Sequence, residues 1–312
     1  MFEIRRYTAE KESEWNQFVA QSKNGTFLFN RGYMDYHSDR FHDHSLLFYL
    51  EGRLYALMPA HEEGELFCTH RGLTYGGLVM DSKTTAAQTL VLFRDLNDYL
   101  RQQGFVRVLY KCVPWIYHQM AAEEDLYAIA EICNARLVSR DLGIAIVQRN
   151  TIRWERVRRR ALRRAQEAGI AVTRSNDYAG FWKILNENLA QKYDSKPVHT
   201  LQEIELLNSR FPDNIVLYTA QKDGETIAGM VLYVSNQVAR AQYSSACLLG
   251  KQLGAIDIIY DQVINHDYRH LPYFEFGTSA LKNTHAINES LIFQKEGFGG
   301  RGICFDTYEW EL

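Results

Sequence analysis

Proline is scarce in this chain, 5 residues in 312, which argues against long disordered linkers between its parts. Cysteine is equally scarce. Cys68, Cys112, Cys133, Cys247 and Cys304 are scattered, odd in number and form no C-x-x-C pair, a usage that fits reduced, mostly buried thiols. No apolar run approaches the ~18 residues a membrane helix needs, and MFEIRRYTAEKESEW contains no apolar signal-peptide core. A cytoplasmic location without an integral membrane segment is therefore expected. Neither sign of charge dominates: the net charge is −3 and 23% of residues are charged. That balance neither demands nor excludes nucleic acid, because a local basic patch can sit on a neutral chain. There is no G-x-S-x-G and no Walker loop. His42-x-His44 lacks a third ligand at a recognisable spacing, and His61-Glu62 has no second histidine four residues on, so no metal is expected.

What the chain does have is apolar and aromatic surface. It is 46% hydrophobic and 13% aromatic, with 19 tyrosines, enough for a sizeable core and about two domains. The first half reads as a strand FEIRRY, an amphipathic helix from about Glu10 to Gln21, and two apolar runs around Glu51-Gly52 that signal a hairpin. HRGLTYGGLVM reads as a strand carrying three glycines. A helix from Ala86 to Gln103, a strand FVRVLYKCV, a helix from Met120 to Cys133 and a strand LGIAIVQ follow. The second half repeats this order: helices over Tyr178–Tyr193 and Leu201–Arg210, three strands with a turn at Lys222-Asp223-Gly224, a helix near Ala255–Asn265, the strand YFEFGTS, the helix NESLIFQKE and the strand ICFDTYEWEL. Two copies of one α/β domain is the economical reading, with domains at 1–150 and 170–312 joined by a basic linker helix at 151–169.

That linker, TIRWERVRRRALRRAQEAG, sets seven arginines against two glutamates, a local charge of +5. Trp154, Val157, Ala161, Leu162 and Ala165 form one apolar stripe and Gly169 supplies a stop. Arg156, Arg160 and Arg163 are the candidate RNA contacts on such a surface. A second stretch, GFGGRG at Gly297–Gly302, fits G-x-G-x-x-G. A dinucleotide turn runs from strand to helix, so that the helix N-terminus meets the pyrophosphate. Here the order is helix then strand, so a nicotinamide or flavin site is rejected. Instead, Gly297 is expected to end the helix in the left-handed conformation, with the later glycines forming a tight connection.

The order of elements, with FQKEGFGGR between the last helix and the last strand, resembles the Y-x-K-x-G-F segment of GNAT-type acyltransferases. With the tandem halves and the arginine-rich helix, the chain resembles the FemABX group and the related acetyltransferase-6 proteins of polysaccharide synthesis. RVRRRALRRAQEAGI, ARAQYSSA, YFEFGTS and NESLIFQKEGFGGR carry the resemblance most specifically. It implies an α/β (α+β) fold of tandem GNAT-like domains, each a mixed central sheet flanked by helices. The implied activity is transfer of an aminoacyl or acyl group to an amine of a cell-envelope precursor, as in peptidoglycan synthesis, or of a sugar nucleotide. The alternatives are an acyl-CoA-dependent N-acetyltransferase and, outside enzymes, an RNA-binding protein on an inactive transferase scaffold.

The resemblance also assigns residues. Lys295 would stabilise charge developing in acyl transfer, and Tyr243 lies on the central strand; Glu275, alternating with its apolar neighbours on YFEFGTS, is the candidate base. Gln242, Ser244, Ser245 and Arg301 would bind the donor. The pyrophosphate motif [QR]-x-x-G-x-[GA] is matched only by Lys251-x-x-Gly254, with Ile256 in the last small position. That departure shifts weight from acyl-CoA to aminoacyl-tRNA as donor, with no tightly bound cofactor. Arg71, Tyr75, Arg31, Tyr36, Thr278 and Asn288 are the acceptor-binding candidates. A small or lipid-linked acceptor and tRNA are the implied partners.

Overall fold

The computed structural model describes residues 1–193, 195–279 and 286–312. The chain divides into two compact units, Met1–Asp141 with Cys304–Leu312, and Leu142–Ile303. The arginine-rich segment, expected as a linker, therefore lies inside the second unit, and the end of the last strand lies in the first. The reason is packing: of that helix's buried residues, Ala165 belongs to the second unit's core and Ala161 packs against Gly254.

In the first unit, the strands Glu3–Arg6, Leu46–Leu50, Arg53–Met58 and Val79–Met80 pair in that order. A second set orders Arg301–Glu311, Arg107–Lys111, Leu66–Cys68, His61–Glu63 and His42–Asp43. The helices Ala86–Gln102 and Glu124–Cys133 bury Leu92, Phe93, Leu96 and Ile129 in a core shared with Phe48, Phe67, Tyr110 and Trp310. The expected hairpin at Glu51-Gly52 forms, with φ of +51° and +76° at the two turn residues, the left-handed pair that a two-residue hairpin turn requires. The strand expected over residues 70–80 does not form: only Val79–Met80 is extended and paired. His70 (φ +66°) and Gly77 (φ +86°) turn the chain away from an extended path. At Gly77 a Cβ would lie 2.9 Å from the Tyr110 hydroxyl, which accepts the Leu78 N–H at 2.7 Å.

In the second unit a mixed sheet runs Ala171–Ser175, Ile215–Lys222, Glu225–Val234, Val238–Ala246, Tyr273–Thr278 and then the end of Arg136–Val147. Asp223 and Gly224 make the left-handed turn between the second and third of these. The helices Tyr178–Tyr193 and Leu201–Arg210, the latter started by a Thr200/Glu203 capping box, lie between the strands Ala171–Ser175 and Ile215–Lys222. The helix Ala255–Asp261 continues as a π-helical stretch, Gln262–Asp267, and Glu289–Gly297 is the last helix. Ile144, Met230, Ile259, Tyr260, Phe274, Phe276 and Phe298 sit in the core.

The glycine-rich stretch has a packing explanation. The left-handed residue after the last helix is Gly299 (φ +89°), not Gly297 as the sequence suggested. A Cβ there would lie 2.4 Å from the Ile152 carbonyl oxygen, and one on Gly300 would lie 2.4 Å from Ile144 Cγ2. The glycines let the turn sit directly against the chain entering the basic helix, where the Glu155 N–H donates to the Gly297 carbonyl at 2.8 Å. Gly299→Ala is expected to destabilise by more than the ~1–2 kcal/mol of left-handed strain alone. Gly104→Ala, at φ +87° with open space around it, should show only the strain. Thermal melts of the two variants check this; equal losses would remove the close-approach argument.

Candidate active site

Two neighbouring strands of the second unit run parallel and then part. Val238–Ala246 pairs with Tyr273–Thr278 only at Val238↔Tyr273, Ala239↔Phe274 and Arg240↔Glu275. Beyond that point a pocket of about 370 Å³ opens, lined by Gln242 and Ser244 on one strand, Phe276 to Thr278 on the other, Tyr260, and Leu291, Gln294 and Lys295 from the last helix.

Lys295 is the best-defined group in it. Asn288 starts its helix, its Oδ1 accepting the Leu291 N–H at 3.1 Å, and places the lysine near the C-terminal end. A lysine there could simply serve the helix dipole, but its ammonium turns to the strand instead. Nζ donates to the Gly277 carbonyl at 2.8 Å, the Thr278 carbonyl at 2.9 Å and Ser279 Oγ at 2.7 Å. Three acceptors match the three N–H bonds of the protonated form. Burial lowers its pKa to about 8; Glu275 opposes that shift and Arg240 adds to it.

The turn that receives Lys295 is built by an ion pair. Glu275 is fully buried, and its Oε2 accepts Arg240 Nη1 at 2.8 Å. Its Oε1 accepts the Gly277 N–H at 2.6 Å. Gly277 adopts φ +78°, a conformation that favours glycine and leaves its carbonyl within reach of Lys295. In the structure Glu275 thus holds a turn, with both oxygens engaged. Arg240 also donates from Nε to Gln242 Oε1 at 3.2 Å.

The other candidates are dispersed. Ser244 is exposed and Gln242 half-buried at the pocket. Tyr243, between them, faces other groups: its hydroxyl lies 2.6 Å from His199 Nδ1 and its ring packs edge-on against Trp182. Ser245 Oγ accepts from Asn188 Nδ2 at 2.9 Å, and Lys251 donates to the same asparagine's Oδ1. The turn carrying Lys251 is a short helix, Leu248–Leu253, capped by Cys247. Gly254 (φ +81°) passes so close to the basic helix that a Cβ would lie 2.5 Å from the Ala161 carbonyl oxygen. Arg301 is exposed, donates to the Gly300 carbonyl and does not line the pocket, so it and Lys295 do not share this cleft. Thr278 contributes its carbonyl to Lys295 and lines the pocket; the Asn288 side chain caps its helix.

In the first unit, Arg31 is buried, paired with Asp43 at 2.9 Å and with Asp35, and its guanidinium lies 3.8 Å from the Tyr7 ring centre. Tyr75 is buried and donates to Thr26 Oγ1 at 3.0 Å. Both are interior residues. Arg71 is exposed and pairs with Glu63 at 2.5 Å; Tyr36 is half-buried and stacks on His37.

The basic helix runs Arg156–Glu167, about 18 Å at 1.5 Å per residue. Ala161 and Ala165 are its buried face; Val157, expected in the apolar stripe, is 46% exposed. Arg156, Arg159, Arg160, Arg163 and Arg164 are exposed. Arg158 instead turns inward, pairing with Asp257 at 3.1 Å and lying over the Phe298 ring at 5.4 Å.

Sequence reasoning missed Arg240 and Tyr260. For Arg240 a signal existed: Arg240, Gln242 and Ser244 alternate as the polar face of one strand. Nothing local marked Glu275 as its partner.

Parallel strands that part over a pocket, with the last helix contributing to its lining, are the arrangement expected of a GNAT-like fold. Residues 152–283 match the family described as Acetyltransferase (GNAT) domain. No curated protein sequence matches the chain. Among solved structures, FemX superposes with a TM-score of 0.69 at 10% identity, over 99% of this chain and 97% of that one. L-PGS from Bacillus licheniformis gives 0.62 at 11%, over 97% and 92%. A tandem GNAT protein from the clavulanic acid biosynthesis pathway gives 0.52 at 11%, over 100% and 98%. Residues 152–283 thus match a GNAT domain model, and the chain as a whole shares its fold with FemX and with the tandem GNAT protein. Among the described residues no helix is long and apolar enough to cross a membrane.

Proposed function

We propose that the parted-strand pocket transfers an aminoacyl group from aminoacyl-tRNA to an amine of a cell-envelope precursor or sugar nucleotide. The observation that carries this reading is Lys295, a buried cation fixed by three acceptors on the wall of the pocket. In the reaction the acceptor nitrogen attacks the ester carbonyl. Negative charge gathers on the carbonyl oxygen, the bond to the ribose oxygen breaks, and the proton lost by the amine ends on that leaving oxygen. A preorganised cation next to the developing charge lowers the barrier without reorganising during the step. Glu275 and Arg240 act one layer behind, holding the Gly277–Thr278 turn.

Two features favour aminoacyl-tRNA over acyl-CoA as donor. The segment where a pyrophosphate loop would lie forms a short helix, in which the Lys251 N–H donates to the Cys247 carbonyl at 2.9 Å. The exposed arginines offer a phosphate-binding face about as long as three helical turns. The likeness to FemX and to L-PGS is consistent with that donor. An acyl-CoA donor is the competing reading, supported by the GNAT family match.

The test offers charged tRNA and acyl-CoA in parallel with amine-bearing envelope precursors and sugar nucleotides, and follows transfer of label. Transfer from charged tRNA supports the proposal; transfer from acyl-CoA alone overturns it. Replacing Arg156, Arg160 and Arg163 together with alanine should weaken tRNA binding and flatten its salt dependence by roughly 0.7–0.9 of log–log slope per lost phosphate contact. An unchanged slope would leave these arginines as a solvated face.

A further inference from the structure

A hairpin in the first unit carries a cluster with no part in the acyl-transfer reading. His61 and Cys68 are directly opposed across the antiparallel strands His61–Glu63 and Leu66–Cys68. Directly opposed residues project from the same face, and Glu63, two positions after His61, shares it. The ligand atoms of His61, Glu63 and Cys68 all lie within 4.8 Å of one another. Donors around a tetrahedral ion at the usual bond lengths are roughly 3.5 Å apart, so a small rotation of side chains closes the set.

His61 and Cys68 are both 1% exposed, and the Glu63 carboxylate stands at the rim. Glu63 Oε1 lies 2.9 Å from His61 Nε2, while Arg71 donates to Oε2 and fixes the carboxylate's orientation. His61 Nδ1 is buried with no hydrogen-bond partner, a costly state for a polar atom unless something binds the group. Phe41 and His70 wall the site, their ring centres 4.9 and 5.1 Å from that of His61.

We propose that His61, Glu63 and Cys68 bind one divalent transition-metal ion of the zinc class, with a fourth position left to solvent or a ligand. Mixed nitrogen, oxygen and sulfur donors select zinc-like ions over calcium or magnesium. On binding, the Cys68 thiol proton leaves to solvent and a sulfur–metal bond replaces it. The ion ties the two strands at their base and offsets the charge of Glu63. No sequence motif announced it, because the H-x-E-x₄-C spacing acquires meaning only once the hairpin opposes its ends.

The test uses the full-length chain in a Cys304→Ser background, which removes the exposed thiol. After stripping with chelator it is titrated with Co(II), followed by thiolate-to-cobalt charge-transfer absorbance. One equivalent bound, with a thiolate band that zinc displaces, is the expected result. Cys68→Ser should abolish the band, and Glu63→Gln should weaken Co(II) binding by at least ~10-fold, the scale of losing a supporting carboxylate. Circular dichroism checks the fold of each variant; if Cys68→Ser is misfolded, the rim variant Glu63→Gln decides. Absence of a band, a band that survives Cys68→Ser, or unchanged affinity in Glu63→Gln overturns the proposal.

Discussion

Replacing Lys295 with methionine should lower kcat by about 10²–10³, the ~3–4 kcal/mol that a preorganised charge contributes at a developing oxyanion. Methionine keeps much of the side-chain volume, so the pocket retains its shape. The pH dependence separates two roles for the same residue. Its pKa stands at about 8. If the cation stabilises charge, activity falls as pH rises through about 8. If the neutral amine were a base, activity would rise there. Arginine at 295 stays charged to much higher pH, so its residual activity should lack the falling limb. Stability moves in a defined direction as well. The folded pKa lies below the unfolded value of about 10.4, so between about pH 8 and 10.4 the unfolded chain binds more protons. Stability contributed by this site therefore rises with pH across that window, and the cost of charging the buried amine is fully present below it. Denaturant unfolding of wild type and Lys295→Met at pH 7 and pH 9.5 reads the difference; a methionine variant with the same pH slope as wild type would contradict it.

Removing Arg240 should produce the largest loss of stability. Arg240→Met removes the guanidinium that pairs with the Glu275 carboxylate, which is 0% exposed. Stranding a buried charge in this way costs roughly 3–5 kcal/mol. At about 2–4 °C per kcal/mol for a unit of this size, that is a fall in Tm of ~6–20 °C. The double variant Arg240→Met/Glu275→Gln should recover much of it, because glutamine is neutral and still accepts the Gly277 N–H. Glu275→Gln alone should reduce activity modestly, as expected of a residue that holds the Lys295 turn. A loss as deep as that of Lys295→Met, with a pH limb of its own, would instead make Glu275 the base. An Arg240→Met variant that melts with wild type would show that the pair carries no strain-bearing charge.

How much of this was legible depended on distance along the chain. The turns at Glu51-Gly52 and Asp223-Gly224 could be read because their left-handed pairs are local chemistry. The helix-then-strand order around GFGGRG sufficed to exclude a dinucleotide turn. It could not reveal that Gly299 is needed for the approach of Ile152, a contact from the far end of the unit. Lys295 was singled out by resemblance, but the sequence alone could not separate a dipole-capping lysine from one turned toward Gly277 and Thr278. Arg31 and Tyr75 looked like polar groups available to an acceptor. Their partners, Asp43 and Thr26, are set by tertiary packing that no periodicity reports. Tyr243 shows the same limit: it shares a strand with Gln242 and Ser244, and the structure places its hydroxyl at His199.

The most direct measurement fills the pocket. Ser244 is exposed at its lining, so Ser244→Trp should occupy the space while leaving the core intact. Label transfer by wild type and by Ser244→Trp, with the Tm of both recorded, tests whether the gap between the parted strands is where acyl transfer occurs. The account predicts loss of transfer at an unchanged Tm. Transfer at the wild-type rate by a folded Ser244→Trp protein would contradict it.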